Sequence, residues 1–254
     1  MLIFWNVYNF FITYANVDGW KPDKMSNVKC PFGKTQDKQM SNVLDEWILV
    51  KLDTLVSDVT QALESYDTVA GVRALGGFVS ELSQWYVRRS RDRIGPTAED
   101  SVDRNACYET LFIVLVAVSK LLAPFAPFLS EDIYRNLTKE ESVHLAQWPP
   151  ENGEWRMKNG ELAEKIVLVR KICELGHAQR KENKMKVRQP LQQCQISNIP
   201  PSSRLAGLRR AGKYQIENEY IQLIKDELNV KEVVVTTGIG ELAVSLDTTL
   251  TPEL

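Results

Sequence analysis

The chain of 254 residues holds only two histidines, His144 and His177, far apart in sequence. No Ser-His-Asp or Cys-His grouping is legible around either, so the sequence offers no nucleophilic or acid–base active site. Its four cysteines, Cys30, Cys107, Cys173 and Cys194, form no C-x-x-C pair, the spacing that a structural zinc or a redox motif needs. No metal is expected, and free thiols in a reducing, cytoplasmic setting are. A G-x-x-x-x-G-K-[ST] phosphate loop is missing, and Gly238-Ile-Gly240 reads as a turn because it lacks the third glycine of a dinucleotide loop. Positive charge is not in excess either: 31 basic and 33 acidic residues give a formal charge of -2. A nucleic-acid site, if there is one, must therefore be local.

Two apolar runs raise the question of a membrane, residues 1–17 and 111–129. Lys120 stands in the second, where a lone charge costs about 2.5 to 3.5 kcal/mol on insertion scales, and Pro124 and Pro127 interrupt it. The first lacks a basic leader and a small-residue cleavage site. Both read as buried bundle helices, and no membrane partner is expected.

With 44% hydrophobic residues the chain can bury one large core or two smaller ones. Residues 21–39, rich in Pro, Gly, Lys, Asn and Asp, read as a loop. Leu44, Ile48, Leu52, Leu55, Val59, Leu63 and Tyr66 then recur every three or four positions, a helical stripe capped by Asn42. A second helix starts at Asp67, carries Val72, Leu75, Phe78, Leu82 and Trp85 on one face, and ends before Gly95-Pro96. A third follows Ser101 through Ala123, and a short one covers residues 129–137. The fold class is mainly α: residues 1–150 form an antiparallel helix bundle. Pro149, Pro150 and Gly153 mark a boundary. Residues 151–254 then form a small α+β appendix, with a helix through Leu162, Ile166, Val169, Ile172 and Gly176. Strands are expected at 186–191, 230–236 and 242–246, with a helix at 216–228.

The most informative run is LSQWYVRRSRDR at 82–93. It resembles the tryptophan-tyrosine-basic signature of the anticodon-binding helical domain of isoleucyl-tRNA synthetases, which are class I aminoacyl-tRNA synthetases. WNVYNFF (5–11), LDEWI (44–48), SKLLAPFAPF (119–128) and ESVHL (141–145) fit that family in order. The SKLLAPF stretch is shared with the valyl and leucyl enzymes; KVRQPL (186–191), KDELNVK (225–231) and LDTTLTPEL (246–254) are more particular. The family's HIGH and KMSKS signatures do not occur, and Lys24-Met-Ser26 only begins like the second. The resemblance implies a tRNA-binding C-terminal part of an isoleucine-tRNA ligase. Catalytic and editing domains, and with them ATP, would belong to the rest of the longer enzyme. It implies no cofactor here, tRNA(Ile) and the intramolecular catalytic domain as partners, a monomer, and no aminoacylation by this chain alone.

RNA recognition uses unpaired bases for stacking and Arg or Lys for phosphates. The candidate contacts are Arg88, Arg89, Arg91 and Arg93, neighbours at i, i+3 and i, i+4 on a helix. A second basic segment runs from Arg180 and Lys181 through Lys184, Lys186 and Arg188, and a third holds Arg204, Arg209, Arg210 and Lys213. The helix-end arginines could instead complement the helix dipole or dock the catalytic domain. Trp85 lies on the apolar stripe, so its ring is either core or a base-stacking surface. A free-standing helical adaptor that binds protein is the competing reading, with the equivalent part of a valyl or leucyl enzyme a third.

Overall fold

The computed structural model describes residues 1–22, 42–95, 98, 100–150, 154–197, 207–210, 213–215, 217–236 and 242–247, with backbone alone at 154–161, 163, 207–210 and 213–215. Most of the expected 21–39 loop, with residues 24–26 and Cys30, lies outside the described residues, as do 238–240, Arg204 and most of the 246–254 run. The chain divides into two compact units, Met1–Gly160 and Glu161–Leu254.

The first unit is helical: α1 (Leu2–Val17), α2 (Val43–Glu64), α3 (Thr68–Glu81), α4 (Ser101–Leu122) and α5 (Pro127–Thr138). Four of these five starts have a chemical reason. The Asn42 side chain accepts from the Leu44 N–H, Asp67 from that of Ala70, and Asp100 from those of Val102 and Asp103, which satisfies main-chain donors that the first helical turn leaves over. Pro127 opens α5 at a position where a missing N–H costs nothing. Among the described helices α4 is long and apolar enough to cross a membrane, and 72% of its apolar window is buried inside the protein. The reason is position: α4 is the core helix, with α1 laid against it through Phe11, Tyr108, Phe112 and Trp20. Lys120, the charge in the apolar 111–129 run, sits 5.9 Å over the Tyr134 ring of α5.

On α3 the expected face turns by one residue. Val72 is exposed, and Gly71, Leu75 and Phe78 are buried. A Cβ at Gly71 would stand 2.9 Å from Phe125, so α3 approaches the α4–α5 turn through its smallest residue and Val72 swings outward. Beyond Glu81 the helix passes into a π-helical turn, Leu82–Val87, and after Ser90 a 3-10 turn, Arg91–Arg93. The wider turn lets three consecutive side chains, Trp85, Tyr86 and Val87, all be buried.

One ionic cluster ties the starts of α2 and α4 to the end of this segment. Arg93 donates to both Asp45 carboxylate oxygens (2.8 and 2.6 Å) and to both Asp103 oxygens (2.7 and 2.7 Å). The Tyr86 hydroxyl donates to Asp45 Oδ1 at 2.5 Å. Burial, with Asp45 beside it, pushes that phenol well above its ordinary range, so it stays a donor. At the same end Asp18 accepts from Tyr108 Oη (2.6 Å) and from the N–H of Gly95 (3.2 Å). Gly95 has φ +101, and a Cβ there would also meet the Tyr14 ring at 3.0 Å.

The second unit holds the greater part of α6 (Glu154–Glu182), then β1 (Leu191–Ser197), β2 (Gly207–Arg210), β3 (Lys213–Gln215), α7 (Asn218–Leu228), β4 (Val230–Thr236) and β5 (Ala243–Leu246). The sheet order is β4-β1-β5, with β1 parallel to β4 (Leu191 opposite Val230) and antiparallel to β5. A parallel pair needs a crossover, and α7 lies in it. Ile166, Val169 and Ile172 of α6, Leu191, Cys194 and Ile196 of β1, and Tyr220, Ile224 and Leu228 of α7 are buried. A Cβ on Gly176 would fall 2.6 Å from Leu228, so this glycine admits the end of α7 against α6. The strand expected at 186–191 is instead a turn, and β1 begins at Leu191. Pro190 cannot donate to a ladder, and the carbonyls before it are used elsewhere.

Replacing Arg93 leaves Asp45, fully buried, without its cation. Arg93→Ala is expected to destabilise the bundle by about 3 to 5 kcal/mol, and Arg93→Lys to recover little because lysine cannot bridge two carboxylates in the same planar fork. Urea unfolding checks this; a loss under about 1 kcal/mol for Arg93→Ala would show the cluster to be ornamental.

Candidate nucleic-acid interface

Four arginines at the end of the third helical segment meet four different environments. Arg88 is exposed, with Nε donating to the Gln84 carbonyl at 3.1 Å. Arg91 is exposed on the 3-10 turn. Arg89 is half-buried and lies 5.2 Å over the Trp85 ring. Arg93, grouped with its neighbours by the sequence pattern as an RNA contact, points inward: its side chain is 10% exposed and its guanidinium is committed to Asp45 and Asp103. Helix ends at Arg89, Ser90 is a turn, and Arg91–Arg93 wind as 3-10, so the i, i+4 relation between Arg89 and Arg93 that an unbroken α-helix would impose is broken.

Trp85 is 7% exposed, with Arg89 over its ring. It belongs to the core with Leu82 and Tyr86, and its ring is not an open stacking platform.

The second basic segment is sorted in the same way. Lys184, Lys186 and Arg188 are all exposed, on the turn between α6 and β1. Lys184 takes a left-handed φ of 56° as the chain leaves α6. Arg180 is 1% exposed and binds main-chain carbonyls. Of the third segment, Arg209 and Arg210 fall on β2 and Lys213 on β3.

Charge separates the two exposed sets. Residues 82–93 carry four arginines and Asp92, a sum of +3, which Asp45 and Asp103 in the cluster behind reduce to +1. Residues 180–188 carry five cations, Arg180, Lys181, Lys184, Lys186 and Arg188, against Glu182, a sum of +4. The turn after α6 is thus the stronger local source of positive potential, although the arginine-rich run looks more basic as text.

Burial pushes the Cys107 thiol up to about 11 and the Cys194 thiol up to about 12, so both stay protonated at neutral pH. Among the described residues no three His, Cys, Asp or Glu side chains converge as a metal site. His177 lies 3.2 Å from Glu227 within the second unit, and His144 is exposed in the first.

Residues 45–195 match the family described as the anticodon-binding domain of tRNA ligase, and the chain belongs to that family. Relatives at 35 to 41% identity to it are isoleucine-tRNA ligases. The chain is similar to that of Deinococcus radiodurans, with 41% identity over 239 residues, 94% of this chain and 20% of the relative. For Thermus thermophilus the identity is 39% over 239 residues, 91% of this chain and 21% of the relative. For Dehalococcoides mccartyi strain CBDB1 it is 36% over 263 residues, 100% of this chain and 25% of the relative. The chain thus spans about a fifth to a quarter of the length of these relatives.

The different environments separate packing from surface experimentally. Trp85→Ala should cost about 3 to 5 kcal/mol, as removal of a buried aromatic does. Arg88→Gln and Arg91→Gln should each stay within about 0.5 kcal/mol of the parent, since glutamine keeps the helix propensity of an exposed site. Thermal melts of the three variants test the assignment, and a Trp85→Ala protein as stable as the parent would contradict it.

Proposed function

We propose that this chain is the tRNA-binding module of an isoleucine-tRNA ligase, acting as a monomer in the cytoplasm with no metal or cofactor of its own. It holds isoleucine tRNA through its anticodon stem-loop while the catalytic domain of the longer enzyme carries out the ATP-dependent attachment. The observation that supports this reading most is the outward display of Lys184, Lys186 and Arg188 on a turn, residues 183–190, whose charges sum to +3. Arg88 and Arg91 at the bundle end add two more exposed cations.

Phosphate contacts fix register and orientation and carry no base information. These five side chains are therefore given the work of holding the RNA backbone, and with Trp85 buried no stacking role is given to it. The module's contribution to the reaction is orientation: an anticodon arm held at a fixed place presents the acceptor end repeatedly in one geometry, which reduces the entropic cost of reaching a reactive arrangement. The formal charge of -2 means that affinity comes from these local contacts, so binding by the isolated chain is expected to be weak.

Salt dependence tests the reading quantitatively. Neutralising Z phosphates gives a log–log slope of about -0.9Z for duplex and about -0.7Z for single strands, so three to five contacts predict roughly -2 to -4.5. Filter binding of isoleucine, valine and leucine tRNA transcripts across a salt series should give that slope, with the isoleucine transcript bound tightest. A flat response would remove RNA binding by these cations, and equal affinity for all three would remove the assignment to isoleucine.

A further inference from the structure

Arg180 is a buried cation whose five N–H groups all go to main-chain carbonyls. Nε donates to Leu228 O at 3.1 Å, and Nη2 to Leu228 O at 2.6 Å and Asn229 O at 3.2 Å. Nη1 donates to Lys186 O at 2.9 Å and Gln189 O at 3.0 Å. Five donors are the full complement of a guanidinium. Taking such a cation out of water is expensive, and an apolar side chain of similar volume would fill the space at less cost. What the guanidinium supplies beyond filling is geometry, since its rigid fork fixes four oxygens at once.

Those oxygens belong to two places. Leu228 and Asn229 join α7 to β4, and Lys186 and Gln189 belong to the basic turn. Asn229, at a left-handed φ of 48°, reaches the same turn, its Nδ2 donating to Val187 O at 3.0 Å. The carbonyls of 186, 187 and 189 are therefore all engaged by protein donors, while Lys184, Lys186 and Arg188 are exposed. The Gln189 N–H closes the turn onto Lys186 O at 3.0 Å. An anion approaching this turn meets the cationic side chains, with three partly negative oxygens already turned to donors within the protein.

We propose that Arg180, helped by Asn229, is a positioning residue for RNA: it holds the 184–188 turn in a preformed shape that presents three cations to phosphate. The inference rests on the reading of this turn as an RNA contact. Preforming matters because ordering a long basic side chain and its backbone at the moment of binding subtracts from affinity. Arg180 touches no RNA itself.

The turn offers its own readout, since trypsin cleaves after Lys184, Lys186 and Arg188. Limited digestion of the whole chain, followed by mass spectrometry with cleavage at other sites as internal reference, compares the parent with Arg180→Met, Arg180→Lys and Asn229→Gly. The glycine retains the left-handed backbone and removes only the amide, so it reports even if Arg180→Met fails to fold. Cleavage in the turn should rise about tenfold or more in each variant, lysine included, because three donors cannot replace a five-donor fork. Affinity for an isoleucine tRNA transcript should fall at least about threefold with the salt slope kept, since the same cations still neutralise the same phosphates once bound. Unchanged cleavage would overturn the positioning role by itself. Faster cleavage with unchanged affinity would overturn the reading of the turn as an RNA contact, and the proposal with it.

Discussion

The bundle depends on the bonds between Arg93 and the two carboxylates of Asp45 and Asp103. Helices α2 and α4 start side by side at the arginine-bearing end, each with a carboxylate in its first turn, where the helix dipole already favours a negative charge. Brought together without a cation, those carboxylates would repel. A planar guanidinium that satisfies both turns the repulsion into a joint, and the joint sets where the chain arriving from α3 must end. The π-helical turn is the winding that brings Tyr86 and Arg93 to Asp45 while keeping Trp85 under cover. The outward placement of Arg88 and Arg91 follows from that inward commitment.

Arg180 has the same place in the second unit. Its partners are carbonyls instead of carboxylates, but it too is a cation used to set backbone geometry. Among the described residues Arg93 and Arg180, one in each unit, are thus arginines turned inward next to surface cations of the same residue types. The surface cations do not compete for the buried acceptors, because Arg93 and Arg180 already hold them.

Periodicity and caps read well from sequence because they are local. Asn42 and Asp67 cap helices as their chemistry requires, and the third helix starts at Ser101 with Asp100 as its cap. The 230–236 strand appears with those bounds. The 111–129 run is the buried end of α4, which stops before Pro124, followed by the start of α5 at Pro127. The resemblance carried by LSQWYVRRSRDR agrees with the matched family. Val72 was misplaced because the face of α3 is chosen by Gly71 meeting Phe125, a contact 54 residues distant in sequence. Arg93 and Arg180 were misplaced for the same kind of reason: an arginine beside other arginines carries no local mark of being buried, and only partners such as Asp45, Asp103 and Leu228 decide it. The strand expected at 186–191 failed because alternation in KVRQPL outweighed its proline. A better signal was present there, since a proline just before a buried run reads as the start of a strand. The β2–β3 hairpin lay hidden beneath a run of charges.

The central claim is that position, and not residue type, divides the arginines and lysines into those that hold the fold and those that hold RNA. Side-chain footprinting addresses that division residue by residue, with an arginine-selective dicarbonyl and a lysine-selective acylating reagent applied to the free chain and to the chain saturated with isoleucine tRNA. The account predicts that Arg88, Arg91, Lys184, Lys186 and Arg188 react readily in the free chain and are protected by RNA, while Arg93 and Arg180 resist modification in both states. Reaction of Arg93 or Arg180 in the folded free chain, or undiminished reaction of all five exposed residues in the complex, would contradict it.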